Sequence, residues 1–268
     1  MYDYTATIQI VIHKNLLPAT TIEQISHLSL EDVLALSGRL QTKQPLAIFE
    51  ADPLTHIKEI LFDQLVFINH AIVKPFDPNS EIITSHEDTQ LKYRYLALRN
   101  QQLQTNLRFR AKVIHAIRDF LISHDFVEIE TPLLTKPTPE GARDFLVKAD
   151  RILPNAFFAL PQSPQIYKQL LMVGGIKRYF QIARCFRDED NRSDRQPEFT
   201  QLDLEISFTT ISEVQTLIED LIRHLFSVFC QIQLPSSFLQ INYATAIREY
   251  RTDKPDLRST LKTKFACC

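Results

Sequence analysis

The sequence predicts an α+β fold, in which an antiparallel sheet with flanking helices follows a partial β-barrel. Three observations support this prediction. Tyr179–Arg187 and Thr200–Phe208 alternate residue by residue, which is typical of half-buried antiparallel strands. Asn106–His124 and Ile211–Phe229 carry apolar residues at helical spacing. Short alternating segments occupy the N-terminal part of the chain.

The N-terminal part predicts short strands separated by turns. The predicted strands are Ala6–Ile12, Val33–Leu40 and Ile60–Val66. Thr21–Leu28 is predicted to be a short helix, and Gly38 indicates a bulge or bend in the second strand. Strands of this length favour a small barrel or a piece of one. The polar, proline-rich Lys74–Asp88 then predicts a hinge or linker.

The middle of the chain predicts a helix, a strand and a loop in that order. Helix Asn106–His124 is followed by alternating Phe126–Thr131, a predicted strand that ends at Pro132. The loop Lys136–Val147 comes next, and Gly141 within it permits a tight or mobile turn.

A short helix is predicted after Ser163. Ser163 suits the N-cap and Pro164 the first helical position, while Gly174 or Gly175 ends the helix. Ser163 and Gln165 are therefore expected at a helix N-terminus, which attracts carboxylates, with Lys168 one turn further on. A solvated lysine is the ordinary alternative for Lys168.

The two central strands predict one apolar and one polar sheet face. Thr200, Leu202, Leu204, Ile206 and Phe208 share the core face, together with Phe180, Ile182 and Phe186 of the first strand. The other face carries Arg187, Gln201, Asp203 and Glu205. An arginine and carboxylates on one sheet face indicate a site for a polar ligand.

The loop Asp188–Gln196 joins these strands and is rich in charge. A solvated hairpin tip is the simplest interpretation. However, the loop is longer than a hairpin needs, and its arginines are spaced among acids, as a polyphosphate with magnesium would require.

Composition narrows the possible classes of site. The chain has only four glycines in 268 residues, which excludes a glycine-rich dinucleotide motif or a Walker loop. The four cysteines have no zinc spacing and favour a reducing compartment. No apolar run has the length of a membrane span, and we expect a cytoplasmic location, with an organellar matrix as the alternative. A net charge of −2 gives no overall indication of a nucleic-acid partner.

Several strings resemble the class II aminoacyl-tRNA synthetases, and more closely the bacterial and organellar type of aspartyl-tRNA synthetase. FRDED, DRQPEFTQ and LDLE resemble motif 2, and the helix, strand and proline before them resemble motif 1. TPEGARDFLV, QSPQIYKQLLM and DKPDLR are similar to further segments of that type. The N-terminal strands resemble the last three strands of an anticodon-reading OB-fold.

The resemblance implies an aspartate–tRNA ligase that activates aspartate with ATP and Mg²⁺ and transfers it to tRNA(Asp). Arg187 would bridge the aspartate carboxylate and the α-phosphate, with Asp188, Glu189 and Gln196 near ATP. The implied aspartate-binding residues are Glu140, Ser163, Gln165, Lys168, Arg187, Gln201 and Asp203. No protein ligand to a metal is expected. Motif 1 implies a homodimer, for which Phe109, Ile117 and Pro132 would offer apolar surface.

Two further expectations follow from the comparison with the family. Motif 3, with its ATP-clamping arginine, has no counterpart, so we expect a chain truncated before it and without appreciable ligase activity alone. The expected domains are a partial OB-fold at 1–74, a linker at 75–98, a catalytic core at 99–258 and an unrelated tail at 259–268. A non-catalytic paralogue that binds RNA or a synthetase partner is the alternative function. A sister enzyme for asparagine or lysine is a third interpretation, against which TPEGARDFLV and QSPQIYKQ argue.

Overall fold

A computed structural model describes residues 8–13, 15, 17–42, 58–72, 74–78, 80, 83–138, 140–149, 151, 154–190, 192 and 195–258. The chain divides into two compact units, Met1–Gln104 and Thr105–Cys268. No described helix is both long and apolar enough to cross a lipid bilayer.

The described part of the first unit contains a three-stranded sheet and three short helices. Its elements are β1 (Gln9–Val11), α1 (Ala19–Ser26), β2 (Val33–Thr42), β3 (Lys58–Asn69), α2 (Glu87–Lys92) and α3 (Arg94–Ala97). The strand order is β1-β3-β2, with β1 parallel and β2 antiparallel to β3. The predicted strands and the N-terminal helix are present, although Ala6 and Thr7 lie outside the described residues.

Gly38 occupies a position in this sheet where a side chain has no room. The register of β2 with β3 shifts between Ser37 and Gly38, so the predicted bulge is confirmed. A Cβ atom at Gly38 would lie 2.2 Å from the Leu61 carbonyl oxygen and 2.5 Å from Ile60 Cγ2. The glycine thus permits the close approach of the two strands.

The predicted linker at residues 75–98 contains helical structure in its second part. Helices α2 and α3 lie within it, and Ala97 is fully buried. The Asn100 amide donates to the Pro78 carbonyl at 3.3 Å and to the Ser80 carbonyl at 3.0 Å. These bonds tie the proline-rich stretch to the start of the following helix.

The second unit is built on a sheet with helices against it. Helix α4 (Gln101–Ser123) leads into it, and the further elements are β4 (Val127–Glu128), β5 (Leu146–Lys148), β6 (Phe157–Ala159), α5 (Gln165–Val173), β7 (Arg178–Phe186), β8 (Glu198–Ile206), α6 (Ile211–Cys230) and α7 (Tyr243–Tyr250). The strand order is β4-β7-β8, and β5 pairs with β6 in a separate hairpin. Strands β7 and β8 are antiparallel over nine residue pairs, from Arg178 opposite Ile206 to Phe186 opposite Glu198. The predicted α+β class and antiparallel strand pair are confirmed.

The core of the second unit lies on one face of the β7–β8 pair. Leu121 of α4, Phe126 and Phe180 form its buried centre. Partly buried apolar residues surround them: Ile117, Phe120, Leu202, Leu204, Ile206 and Leu217. The predicted core face is therefore confirmed for Phe180, Leu202, Leu204 and Ile206, but the opposite face of β7, predicted to be polar, is buried as well.

Helix ends in the second unit follow local rules. Thr210 and Glu213 form the predicted capping box at the start of α6. Gly174 and left-handed Gly175 (φ +95°) end α5, with Ile176 N–H donating to the Leu171 carbonyl at 3.0 Å. This pattern is a Schellman motif, so the predicted glycine end of α5 is confirmed.

Three local predictions were wrong. Phe208 is fully exposed with φ +55°, because β8 ends at Ile206 and the chain turns toward α6. Pro164, not Ser163, is the N-cap of α5, and no side chain caps this helix. The strand after Phe126 is only two residues long, although Ile129 N–H still donates to the Phe180 carbonyl at 3.2 Å.

We predict that Gly38→Ala destabilises the first unit by about 1–3 kcal/mol, because the new methyl group overpacks the β2–β3 contact. Urea unfolding should show an earlier transition. Gly174→Ala is the matched control, since Gly174 has φ −73° and the nearest atom to its Cβ would be 3.3 Å away. Equal unfolding midpoints for Gly38→Ala and the wild-type chain would contradict the prediction.

Candidate functional site

A lysine from α5 lies against a row of polar side chains on β8. Lys168 Nζ is 2.6 Å from Asp203 Oδ1 and 3.2 Å from Glu205 Oε2. Gln201 Nε2 donates to Asp203 Oδ2 at 2.7 Å. The three β8 residues share a face because strand side chains alternate, so the structure brings Lys168, Gln201 and Asp203 together.

The charges in this cluster are largely removed from water. The side chains of Lys168 and Asp203 are only 12% and 6% exposed. Burial alone would lower the pKa of Lys168, but the carboxylates of Asp203 and Glu205 outweigh it and raise the pKa above its usual value. Lys168 therefore stays protonated and cationic at neutral pH.

The donors of Lys168 are all engaged within the protein, whereas each carboxylate oxygen of Asp203 keeps capacity to accept a further bond. The ammonium donates to Asp203, to Glu205 and, at 3.4 Å, to the Leu204 carbonyl, which accounts for its three protons. Each oxygen of Asp203 accepts one bond. A ligand that enters the cluster must exchange some of these bonds, and the long contact with Leu204 is the weakest.

Buried side chains of strand β7 lie beside the cluster. Gln181 pairs with Asp203 across the strands, and its Oε1 accepts from Tyr179 OH at 2.7 Å and from Thr131 Oγ1 at 2.9 Å. Burial, followed by the charge of Asp203, raises the pKa of Tyr179 well above its usual range, so its phenol remains a donor.

Cys185 belongs to the same face of β7. It is fully buried, and burial followed by the charge of Asp203 raises its pKa to about 11. The thiol is therefore not ionised at neutral pH and is a poor nucleophile.

The loop between β4 and β5 reaches this region through Glu140. Ser163 Oγ donates to Glu140 Oε2 at 2.7 Å, and this contact replaces the predicted role of Ser163 as a helix cap. Gln165 is the first residue of α5 and is half-buried. The structure thus places Glu140 and Ser163 together and Gln165 beside them in sequence, at the start of the helix that carries Lys168.

Arg187 follows the last residue of β7. Its N–H donates to the Pro197 carbonyl at 2.8 Å, which continues the hairpin by one pair. Its guanidinium carbon lies 5.1 Å from the ring centre of Phe199, a residue on the same face of β8 as Gln201. Among the described residues, the half-buried guanidinium has no carboxylate partner.

The charged loop after Arg187 is held by its own ion pairs. Asp188 N–H donates to the Arg143 carbonyl at 3.0 Å, and the two side chains are 3.6 Å apart. Arg195 pairs with Glu189 at 3.3 Å. Gln196 is exposed, and Asn191, Ser193 and Asp194 lie outside the described residues. Asp188, Glu189 and Gln196 therefore follow Arg187 in the chain. These contacts of Asp188 and Glu189 are not with residues of the lysine cluster.

Sequence reasoning missed two polar residues at the site. Glu205 was placed on the polar face but not assigned as a partner of Lys168. Gln162 is 1% exposed and hydrogen-bonds to the Glu140 loop. A glutamine directly before Ser163 gives no local signal, because its partners lie about twenty residues away in the chain.

Comparison with known proteins gives the same family along most of the chain. The family model for "tRNA synthetases class II (D, K and N)" matches residues 86–267. The aspartate–tRNA(Asp/Asn) ligase of Persephonella marina is 46% identical over 98% of this chain, and that of Treponema pallidum is 44% identical over 96%. The chain spans less than half the length of these relatives, 43% and 42% respectively.

A solved structure shares the fold. The asparaginyl-tRNA synthetase from Pyrococcus horikoshii, complexed with asparaginyl-adenylate, superposes with a TM-score of 0.72 at 22% identity. The match covers 87% of this chain and 50% of that protein. The motif 1 and motif 2 segments described above lie within the matched residues, and the chain belongs to the class II tRNA synthetases of the aspartate, lysine and asparagine group.

Proposed function

We propose that this chain provides the amino-acid site of an aspartate–tRNA ligase, which activates aspartate with ATP and transfers it to tRNA. The supporting observation is the buried cluster in which Lys168 meets Asp203 at 2.6 Å. The relatives named as aspartate–tRNA(Asp/Asn) ligases support the amino acid and the reaction.

The cluster has the chemistry to distinguish the two ends of aspartate. Asp203 and Gln201 present acceptor oxygens for the substrate ammonium, and Lys168 offers a positive charge to the side-chain carboxylate. Lys168 can exchange its hydrogen bond with the Leu204 carbonyl for one with this carboxylate, while its ion pair with Asp203 is kept. Gln165, Ser163 and Glu140 close the site from α5 and the loop.

Arg187 is proposed to act at the reacting atoms. In activation, an oxygen of the aspartate α-carboxylate forms a bond to the α-phosphorus, and the bond to pyrophosphate breaks. A guanidinium can hold the carboxylate and the phosphate at once, and the guanidinium carbon of Arg187 lies 5.1 Å from the ring centre of Phe199. Since no described carboxylate occupies Arg187, the group is available for both anions. We assign Asp188, Glu189 and Gln196 to the ATP side.

Mg²⁺ would enter this site with ATP and would be held largely by the substrate phosphates. Among the described residues, no group of three or more His, Cys, Asp or Glu side chains is placed to hold a metal.

A homodimer through motif 1 and recognition of tRNA(Asp) complete the proposal. Phe109 is 48% exposed on α4, and Pro132 is exposed after β4. Ile117, expected at the same surface, instead packs against the core cluster. Other apolar residues of this segment are exposed, among them Leu107, Ile122 and Val127.

We predict that Lys168→Met weakens aspartate binding by about tenfold to a hundredfold, because a bond between charged groups contributes about 1.5–3 kcal/mol. Isothermal titration with aspartate and asparagine measures the effect, and the wild-type chain should prefer aspartate. Exposed Lys177→Met is the matched control.

The single variant leaves Asp203 buried without its cation, so the fold needs its own test. The double variant Lys168→Met with Asp203→Asn removes both charges and should recover thermal stability without recovering aspartate binding. Aspartate binding by Lys168→Met at wild-type affinity would contradict the role of Lys168.

We predict that the 268-residue chain, which spans 43% of the Persephonella relative's length, catalyses aspartate-dependent pyrophosphate exchange roughly a hundredfold to a thousandfold more slowly than that relative. Residual exchange should be lost in Arg187→Met, with Arg184→Met as the control, since Arg184 is exposed and pairs with Glu198. Exchange at the relative's rate would contradict this prediction. Aspartate binding without any exchange would favour the non-catalytic alternative.

A further inference from the structure

The loop that carries Glu140 is fixed at both ends by backbone bonds. Thr135 pairs with Ala159 through two bonds of 3.0 and 2.8 Å. At the other end, Leu160 N–H donates to the Phe145 carbonyl at 2.9 Å. The residues between these ends must be held by other contacts if Glu140 is to keep one position.

Gln162 supplies those contacts with its buried amide. Its Oε1 accepts from Ala142 N–H at 3.1 Å, and its Nε2 donates to the Ala142 carbonyl at 2.8 Å and to Asp144 Oδ1 at 2.7 Å. The Thr138 carbonyl lies 3.5 Å from the same nitrogen. A single side chain thus satisfies both backbone groups of Ala142, two residues beyond Glu140.

At the tip of the loop, Glu140 N–H donates to the Thr138 carbonyl at 2.9 Å. Gly141 adopts φ +99°, and a Cβ atom there would meet nothing within 4 Å. Glu140 is exposed and contacts Ser163, the residue directly after Gln162. Two consecutive residues therefore hold the loop. The Gln162 side chain binds the loop backbone at Ala142, and the Ser163 hydroxyl binds the Glu140 carboxylate.

Two observations connect this loop to the substrate region. Glu140 is among the negative charges that, after burial and Asp203, raise the pKa of Cys185 on the site face of β7. The backbone carbonyl of Arg143, one residue beyond Ala142, accepts a hydrogen bond from Asp188 N–H at 3.0 Å. Arg143 is thus also held by Asp188, whereas the bonds of Gln162 hold Ala142, between Arg143 and the Glu140 side of the loop.

We infer that Gln162 is a positioning residue for aspartate, because it fixes Ala142 and Asp144 and thereby sets where Glu140 stands over the amino-acid site. The inference rests on the proposed function. Gln162 itself need not touch the substrate, since its amide groups are occupied by the loop.

Hydrogen exchange of the Ala142 amide tests the hydrogen bonds directly in the full chain. In Gln162→Met the side chain keeps its volume but loses every bond, so the Ala142 amide should exchange about tenfold faster or more. Gln169→Met is the matched control, because Gln169 lies in the helix that follows, α5, and is exposed. Wild-type protection in Gln162→Met would overturn the inference.

A pH profile separates the donor role of Gln162 from simple packing. In Gln162→Glu, an ionised carboxylate can still accept from Ala142 N–H, but it cannot donate to the Ala142 carbonyl and it repels Asp144, so protection of the Ala142 amide should fall at pH 8. Burial and Asp144 would raise the pKa of the introduced carboxyl, and its protonated form can donate again. Protection, corrected for intrinsic exchange, should therefore return as the pH is lowered toward 5.5. A pH-independent loss would overturn the donor role.

Ligand titrations separate positioning from stability. Gln162→Met should raise the dissociation constant for aspartate about tenfold and change that for ATP less than twofold. Equal losses for both ligands would overturn the inference and leave the proposed function intact. Failure of the wild-type chain to bind aspartate would overturn both the inference and the proposed function. The hydrogen-exchange data would still show whether Gln162 holds the loop.

Discussion

The register of β7 with β8 places the strand residues of the candidate site. Gln181 lies opposite Asp203, Ala183 opposite Gln201 and Cys185 opposite Phe199. Because side chains alternate along a strand, a shift of one residue would turn Asp203 into the core and Leu202 toward the ligand. The apolar face opposes such a shift, since Phe180 is completely buried against Leu121 and Phe126.

This arrangement joins stability to function in the same hairpin. The core face stabilises the strand pair, and the opposite face then holds a lysine and two carboxylates with little contact to water. Removing one partner of a buried ion pair costs about 3–5 kcal/mol, because the remaining charge stays desolvated. Lys168 and Asp203 therefore belong both to the fold and to the proposed substrate chemistry, and a substrate that replaces one of their bonds must supply an equivalent charge.

The sequence predicts well where local chemistry decides the structure. The Thr210–Glu213 capping box, the glycine end of α5 and the Gly38 bulge each depend on residues adjacent in the chain or on a single missing side chain. Alternation alone also assigned the faces of β7 and β8, because period two is imposed by the backbone.

Where distant contacts compete, the sequence predicts less. Ser163 has the composition of a helix cap, but its hydroxyl donates to Glu140, twenty-three residues earlier. Phe208 continues the apolar alternation of β8, but the chain must turn there to begin α6. The partners of Gln162 lie in the Glu140 loop and the partner of Glu205 lies in α5, both distant in the chain. Such contacts leave no periodic or local pattern.

The most direct measurement is a crystal structure of the chain with bound aspartate. The substrate ammonium should lie within hydrogen-bond distance of Asp203, and the side-chain carboxylate should lie beside Lys168, with Glu140 facing the ligand. Aspartate bound away from β8, or with its side-chain carboxylate turned from Lys168, would contradict the assignment of this cluster as the amino-acid site.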